Sequence, residues 1–260
     1  RVNTARRLLK RSFREQDRAF LVEGAQAVRE ALAEPGRVRE LFVTGEARQR
    51  HAELVDAAAA SGVEVCQASG RVLGELSETV TPQGIVAVCE RIDVSIEAAL
   101  LPGVRLAVLL AAIRDPGNAG TVLRTADAAG ADLVVFSDTS VDPYNGKCVR
   151  ASAGSLFHLP IVLGAPVAAS IAQVQQMGIQ VLAADGAAAC DIDDLDRSGD
   201  LARPTMWVFG NEAWGLPTEV VAAADGAVRV PIHGRAESLN LAAAAAVCLY
   251  AAARAQRAGR

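Results

Sequence analysis

Three uninterrupted apolar runs constrain this chain more than any other feature. Leu106-Ala107-Val108-Leu109-Leu110-Ala111, Leu133-Val134-Val135-Phe136 and Met206-Trp207-Val208-Phe209 show no apolar–polar alternation. A strand with one wet face alternates. A strand covered on both faces does not, and such coverage is the mark of a parallel sheet between helices. Helical segments separate the runs. Asn118 to Gly130 and Val167 to Met177 read as helices, and Ser238 to Arg257 reads as a long final helix rich in alanine, the best helix former. Residues 144–154 read as helical, whereas Leu159 to Leu163, Ile179 to Ala184 and Val228 to Val230 read as extended. Strands alternating with helices predict an α/β fold, a parallel sheet with helices on both faces.

A smaller α/β pattern precedes it. Phe20 to Leu32 reads as a helix, Val38 to Val43 as a strand, Ala47 to Ala60 as a helix, Val63 to Cys66 as extended, Arg71 to Leu76 as helical and Ile85 to Cys89 as extended. Ile92 to Leu101 reads as a short helix or linker, and Pro102-Gly103 punctuates it. The expected organisation is a first domain over 1–95, a linker over 96–103 and a second domain over 104–260.

Composition bounds the function. No run of ~18 apolar residues lacks a charge, so no membrane span is expected, and arginines interrupt any signal-like start. Five cysteines, Cys66, Cys89, Cys148, Cys190 and Cys248, are too scattered for a zinc knuckle or redox pair, and suit reduced thiols in the cytoplasm. The acidic run Asp191, Asp193, Asp194 and Asp196 lacks the Gly and Glu of a calcium loop and reads as a solvated loop. No metal is expected. Neither Gly-x-Gly-x-x-Gly nor a phosphate-binding Gly-x-x-x-x-Gly-Lys motif occurs. Net charge is −4, which argues against a nucleic-acid binder, but Arg1, Arg6, Arg7, Lys10, Arg11, Arg14 and Arg18 face only Glu15 and Asp17 in residues 1–20. That segment is either a phosphate-binding arm or a solvated helical face.

In parallel α/β sheets ligands gather beyond the carboxyl ends of the strands. Three such junctions stand out. Arg114-Asp115-Pro116-Gly117-Asn118-Ala119-Gly120 makes a tight turn in which Asn118 is a candidate helix cap, with Arg124 six residues on. Phe209-Gly210-Asn211-Glu212 carries a strand directly into a glycine and an acid, and Pro217 suits the first position of the next helix. Val230-Pro231-Ile232 leads to Ser238-Leu239-Asn240, where Ser238 is a natural cap and Asn240 falls in the first turn. Taken alone, the first two are open to explanation by turns, caps and surface charge; in the third, capping explains Ser238 but not Asn240.

Together, in this order, the three junctions resemble the SpoU (TrmH-like) ribose methyltransferases of the SPOUT class. Asn118-x-Gly120-x-x-x-Arg124 looks like the family's first motif, Phe209-Gly210-Asn211-Glu212 with Gly215-Leu216 the second, and Val230-Pro231-Ile232 with Ser238-Leu239-Asn240 the third. Residues 1–95, with Phe20-Leu21-Val22-Glu23-Gly24, resemble an L30e-like substrate-binding domain. The resemblance implies a knotted parallel sheet with a C-terminal trefoil, a homodimer with its sites at the subunit interface, and S-adenosylmethionine as methyl donor. It implies a ribose 2′-hydroxyl acceptor in RNA, ribosomal RNA more than transfer RNA. The site residues it implies are Asn118, Arg124, Glu212, Ser238 and Asn240 for catalysis. For the cofactor they are Gly210, Val230, Ile232 and Leu239. Arg6, Arg7, Arg11 and Arg150 are the candidates for RNA phosphates.

A guanidinium with a pKa above ~12 is a poor base in water. In the role the resemblance implies, Arg124 can act as base only if its charge is compensated and its geometry fixed, with Ser238 and Asn240 holding it and Glu212 orienting the network or the target nucleotide. Equally, Arg124 can polarise the hydroxyl while a phosphate takes the proton. The competing readings are a SPOUT enzyme that methylates a base, a transfer-RNA 2′-O-methyltransferase, and a catalytically silent RNA-binding ribosome-assembly factor.

Overall fold

Burial on both faces fixes the large sheet. The computed structural model of the protein describes residues 1–258. It divides into two compact units, residues 1–92 with 142–158, and residues 93–141 with 159–260.

The first unit runs α1 (Val2–Arg7), α2 (Arg11–Asp17), β1 (Ala19–Glu23), α3 (Ala25–Ala33), β2 (Val38–Val43), α4 (Gly45–Arg50), α5 (Ala52–Ala60), β3 (Glu64–Gln67), α6 (Gly70–Leu76) and β4 (Ile85–Glu90). Its sheet has the order β1-β4-β2-β3, mixed in direction. Two departures from the sequence reading are local. Phe20 begins no helix: Ala19–Glu23 is a buried strand, Gly24 turns at φ +97°, and the helix starts at Ala25. A short strand buried on both faces has no alternation to separate it from a helix. The Ala47–Ala60 helix is two helices broken at His51, which lies at φ −122° and ψ 39°.

The second unit carries α7 (Ile96–Ala99), β5 (Leu106–Leu110), α8 (Pro116–Ala129) and β6 (Leu133–Ser137). Next in the chain, α9 (Gly146–Ser152) belongs to the first unit. The second unit resumes with β7 (Ile161–Ala165), α10 (Val167–Gln176), β8 (Gln180–Ala184), β9 (Cys190–Asp191), α11 (Ile192–Ser198), β10 (Thr205–Phe209), α12 (Thr218–Ala223), β11 (Gly226–Arg229) and α13 (Leu241–Ala258). Its seven strands are all parallel in the order β7-β6-β5-β10-β8-β11-β9. Every residue of β5, β6 and β10 is buried. Alternate residues Ala107, Leu109, Leu133, Val135, Met206 and Val208 pack with Ile96 of α7, Ile171 and Val174 of α10 and Val220 of α12. Helices α8 and α13 lie against each other and against β5. The acidic run is a structured element: Asp191 and Asp194 form a reciprocal capping box that starts α11.

Residues 142–158 lie in sequence between β6 and β7 yet pack with the first unit, so that unit is discontinuous, unlike the contiguous domains drawn at 1–95 and 104–260. The ring of Phe20 sits 4.5 Å from Tyr144 and 6.0 Å from Phe157. Buried Arg14 bonds Asp142 at 2.7 Å and donates to the carbonyls of Leu8 and Leu9, both at 2.9 Å. These bonds take up carbonyls at the end of α1 and pair the charge, as a buried guanidinium requires.

Candidate active site

Strands β5, β10, β8 and β11 are neighbours and parallel, so their carboxyl ends open side by side. The loops that follow them, with the approach to α13, enclose a cavity of about 600 Å³. Its lining includes Asn118, Asp185, Gly186, Gly210, Glu212, Val230, Ile232, Glu237, Ser238, Leu239 and Asn240. Three carboxylates face it and, among the described residues, no basic side chain does.

Capping decides which side chains are available. Asp115, not Asn118, caps α8, its carboxylate accepting the Asn118 N–H at 2.8 Å, and Pro116 fills the first turn. The Asn118 amide is thereby spared for the cavity. Its Nδ2 donates to Glu212 Oε1 at 3.1 Å, and its Oδ1 accepts from Asn240 Nδ2 at 3.1 Å. At the last helix the roles also differ from the sequence reading. α13 starts at Leu241, and Asn240 Oδ1 accepts the N–H groups of Ala242 at 2.9 Å and Ala243 at 3.4 Å. Ser238 is outside the helix and lines the cavity instead. Asn240 is therefore both a cap and one end of a chain, Asn240–Asn118–Glu212, that ties the three loops together.

Gly210 is required by close approach. A Cβ there would stand 2.5 Å from the carbonyl carbon and oxygen of Gly215 and 2.7 Å from the nitrogen of Leu216, all backbone. Asn211 and Gly215 close this turn with reciprocal backbone bonds of 3.0 and 2.9 Å. All four expected cofactor residues, Gly210, Val230, Ile232 and Leu239, line the cavity.

Arg124 does not join them. The buried side of α8 is Val122, Leu123, Ala126 and Ala129, and Arg124 stands on the exposed side. It lines no part of the cavity and makes no hydrogen bond or ion pair among the described residues, so Ser238 and Asn240 do not hold it within one chain.

The candidate RNA residues lie in the first unit. The basic segment is no loose arm: α1 and α2 are helices, and Ala5 and Leu8 are buried in a core with Phe42, Leu73 and Val86. Arg6 pairs with Glu75 at 3.2 Å, Arg11 with Glu15 at 2.8 Å, and Arg150 with Glu23 at 3.3 Å. The Arg7 guanidinium lies 4.0 Å from the Phe13 ring centre. Asp185 and Glu237 were not singled out by sequence as cavity residues. Asp185 follows β8, so the rule that inspects residues after each strand, applied to a fourth strand, finds it.

No group of three or more His, Cys, Asp or Glu that could hold a metal occurs among the described residues. None of the helices described is long and apolar enough to cross a membrane.

Comparison with known proteins agrees with this geometry. The SpoU rRNA methylase family pattern matches residues 105–250, and an MRM3-like substrate binding domain matches residues 1–87. The 23S rRNA (guanosine(2553)-2'-O)-methyltransferase RlmP of Bacillus subtilis is 33% identical over 96% of this chain and 94% of its own length. The crystal structure of the SpoU methyltransferase AviRb from Streptomyces viridochromogenes with the cofactor AdoMet superposes with a TM-score of 0.84 at 31% identity, covering 100% of this chain and 99% of that one. The AdoMet-bound rRNA methyltransferase from Sinorhizobium meliloti gives 0.81 at 30% identity, over 97% and 94%. The family match and these relatives make the chain a SPOUT-class RNA methyltransferase that uses S-adenosylmethionine. Within that class the chain belongs to the SpoU rRNA methylase family, whose relatives here are 2′-O-methyltransferases.

Proposed function

We propose that this enzyme methylates a ribose 2′-hydroxyl in ribosomal RNA of the 23S type, and that it does so as a homodimer. The observation that carries the site assignment is the Asn240–Asn118–Glu212 chain, two bonds of 3.1 Å that join all three loops at the cavity.

The cavity suits the cofactor. Its volume falls within the range of small-molecule sites. Val230, Ile232, Leu239 and Leu241 give apolar walls for an adenosine, and Gly210 lets main chain approach it closely. Asp185, Glu212 and Glu237, with no basic side chain in the lining, complement a cationic sulfonium. S-adenosylmethionine supplies a methyl already activated for displacement by an oxygen nucleophile.

The chain's own task is to align the 2′-hydroxyl and take or share its proton. Asn118 holds Glu212 through Oε1, which leaves Oε2 to orient the target nucleotide. Ser238 stands at the cavity with no helix to cap and is available to a guanidinium. Arg124, exposed and outside its own chain's cavity lining, reads as a group delivered to the site of a second copy. The dimer is supported by exposed Val247 and Tyr250 on α13, beside α8. The strand order β5-β10-β8 supports the trefoil crossing.

We assign RNA recognition to the first unit, in keeping with its match to a substrate binding domain. Arg6, Arg7, Arg11 and Arg150 contribute phosphate contacts, reduced at Arg6, Arg11 and Arg150 by their acidic partners. Ribosomal RNA is favoured over transfer RNA by the relatives that share both units. We further assign the enzyme to the cytoplasm, a reading supported by its likeness to enzymes that act on ribosomal RNA.

The test is transfer of labelled methyl to unmodified 23S rRNA transcripts, followed by digestion to nucleosides. A 2′-O-methylated nucleoside is expected. A methylated base would overturn the acceptor assignment, transfer confined to tRNA would overturn the substrate, and calorimetry without S-adenosylmethionine binding would favour a silent RNA-binding factor.

A further inference from the structure

The chain leaves β5 through a conformation that L-residues avoid. Ala112 has φ +57°, in the left-handed region, and stands three residues before the cap of α8. Non-glycine residues persist there only where the surroundings over-determine the backbone, and such places cluster at functional sites.

Three buried polar side chains do the determining; Asn211 also lines the cavity, whereas Ser137 and Ser140 stand outside its lining. Asn211 Nδ2 donates to the Ala112 carbonyl at 2.8 Å. Ser137 Oγ accepts the Ala112 N–H at 3.0 Å. Ser140 Oγ accepts the Ile113 N–H at 3.2 Å and donates to the Leu110 carbonyl at 2.8 Å, while standing 3.0 Å from Ser137 Oγ. Asn211 is itself fixed, because its Oδ1 accepts the Ala213 N–H at 2.8 Å. Asn211, Ser137 and Ser140 are all buried, so these bonds are made away from competing water.

The consequence lies in what the braced segments carry. The loop after β5 leads to Asn118, and Asn211 immediately precedes Glu212. The Asn211–Ala112 bond thus sets the spacing between two loops whose side chains meet at Asn118 Nδ2–Glu212 Oε1. We propose that Asn211, with Ser137 and Ser140, is a positioning device that holds Ala112 left-handed and so presents Asn118 to Glu212 in the geometry used for methyl transfer. The proposal rests on the methyltransferase reading of the cavity.

The test uses the full-length protein, labelled S-adenosylmethionine and an unmodified 23S rRNA transcript. Asn211→Ala should lower kcat by about 10²-fold, the order that a misplacement near 1 Å produces, with the KM for S-adenosylmethionine changed less than about threefold. Glycine adopts positive φ readily, so Ala112→Gly added to Asn211→Ala should recover at least about threefold in kcat. A part that only maintained the fold would show neither the kcat–KM split nor the rescue. Ser137→Ala should act in the same direction and serves if Asn211→Ala does not fold. Unchanged kcat in Asn211→Ala, or a double variant no better than the single with both at wild-type Tm, would overturn the proposal. If the wild type leaves the transcript unmethylated, the substrate assignment fails instead. Hydrogen exchange then decides the brace: faster exchange of the Ala112 and Ile113 amides in Ser137→Ala supports it, and unchanged exchange overturns it.

Discussion

Gly210→Ala offers a direct test of how the cavity is built. The added methyl would meet the backbone of Gly215 at 2.5 Å and of Leu216 at 2.7 Å, against a normal carbon contact of about 3.5–4.0 Å. Side-chain rotation cannot relieve this, because every offending atom is main chain. The turn must open by about 1 Å, which breaks the reciprocal Asn211–Gly215 bonds of 3.0 and 2.9 Å. Two backbone bonds are worth about 0.5–1.5 kcal/mol each, and overpacking adds about 1–3 kcal/mol. The sum is about 2–6 kcal/mol, below the upper range of domain stability. At roughly 2–4 °C per kcal/mol for a chain of this size, Tm should fall by roughly 4–24 °C. Because Glu212 rides on the displaced turn, S-adenosylmethionine affinity measured by calorimetry should weaken at least tenfold in the protein that remains folded. Gly186→Ala is the matched control: it lines the same cavity, yet nothing lies within 4 Å of its Cβ position. Without ligand, its Tm should stay within about 1 °C of wild type, as surface substitutions usually do. A Gly210→Ala protein with the Tm and affinity of wild type would refute the close-approach argument.

Three further outcomes are expected. Arg124→Ala should abolish methyl transfer while S-adenosylmethionine binding by calorimetry survives, since Arg124 does not line the cavity; lost binding or a large drop in Tm would make it structural. The Arg39 hydrogen bonds at 2.5 Å, then its charge, hold the Glu90 carboxyl below the usual carboxylate range. Their stabilisation is therefore present above about pH 4 and lost as pH falls through and below it. Both side chains are over a third exposed, so the pair contributes at most about 1 kcal/mol, and Arg39→Ala should flatten the acid limb of a Tm-versus-pH curve by at most roughly 2–4 °C. Burial pushes the thiols of Cys89 and Cys248 up, the latter to about 12, and Cys148 is also buried. A thiol reagent should accordingly titrate Cys66 and Cys190 first and the other three only on unfolding.

Local chemistry was legible wherever one residue's own pattern decides the outcome. The buried strands β5, β6 and β10 were readable because a sheet covered on both faces admits no polar alternation. The positions of Gly210, Glu212 and Asn240 at strand ends were readable because parallel strands open their loops on one side. Which residue caps a helix was not legible, since Asp115 competes with Asn118, and Ser238 with Asn240. The winner depends on backbone angles that tertiary packing sets. The basic segment misled for a related reason. The acids that neutralise Arg6, Arg14 and Arg150 lie 69, 128 and 127 residues away in sequence.

The sequence by itself determined a doubly covered parallel sheet, the order of three loop motifs and, through them, the family. Only the tertiary structure decided that Asn118 is spared from capping to join Glu212 and Asn240. It alone left Arg124 exposed and outside its own chain's cavity lining, and it bent Ala112 into a left-handed turn under Asn211 and Ser137. Burial is a property of each residue and its neighbours along the chain. Hydrogen-bond partnership between loops about a hundred residues apart exists only once the sheet has brought their strands side by side.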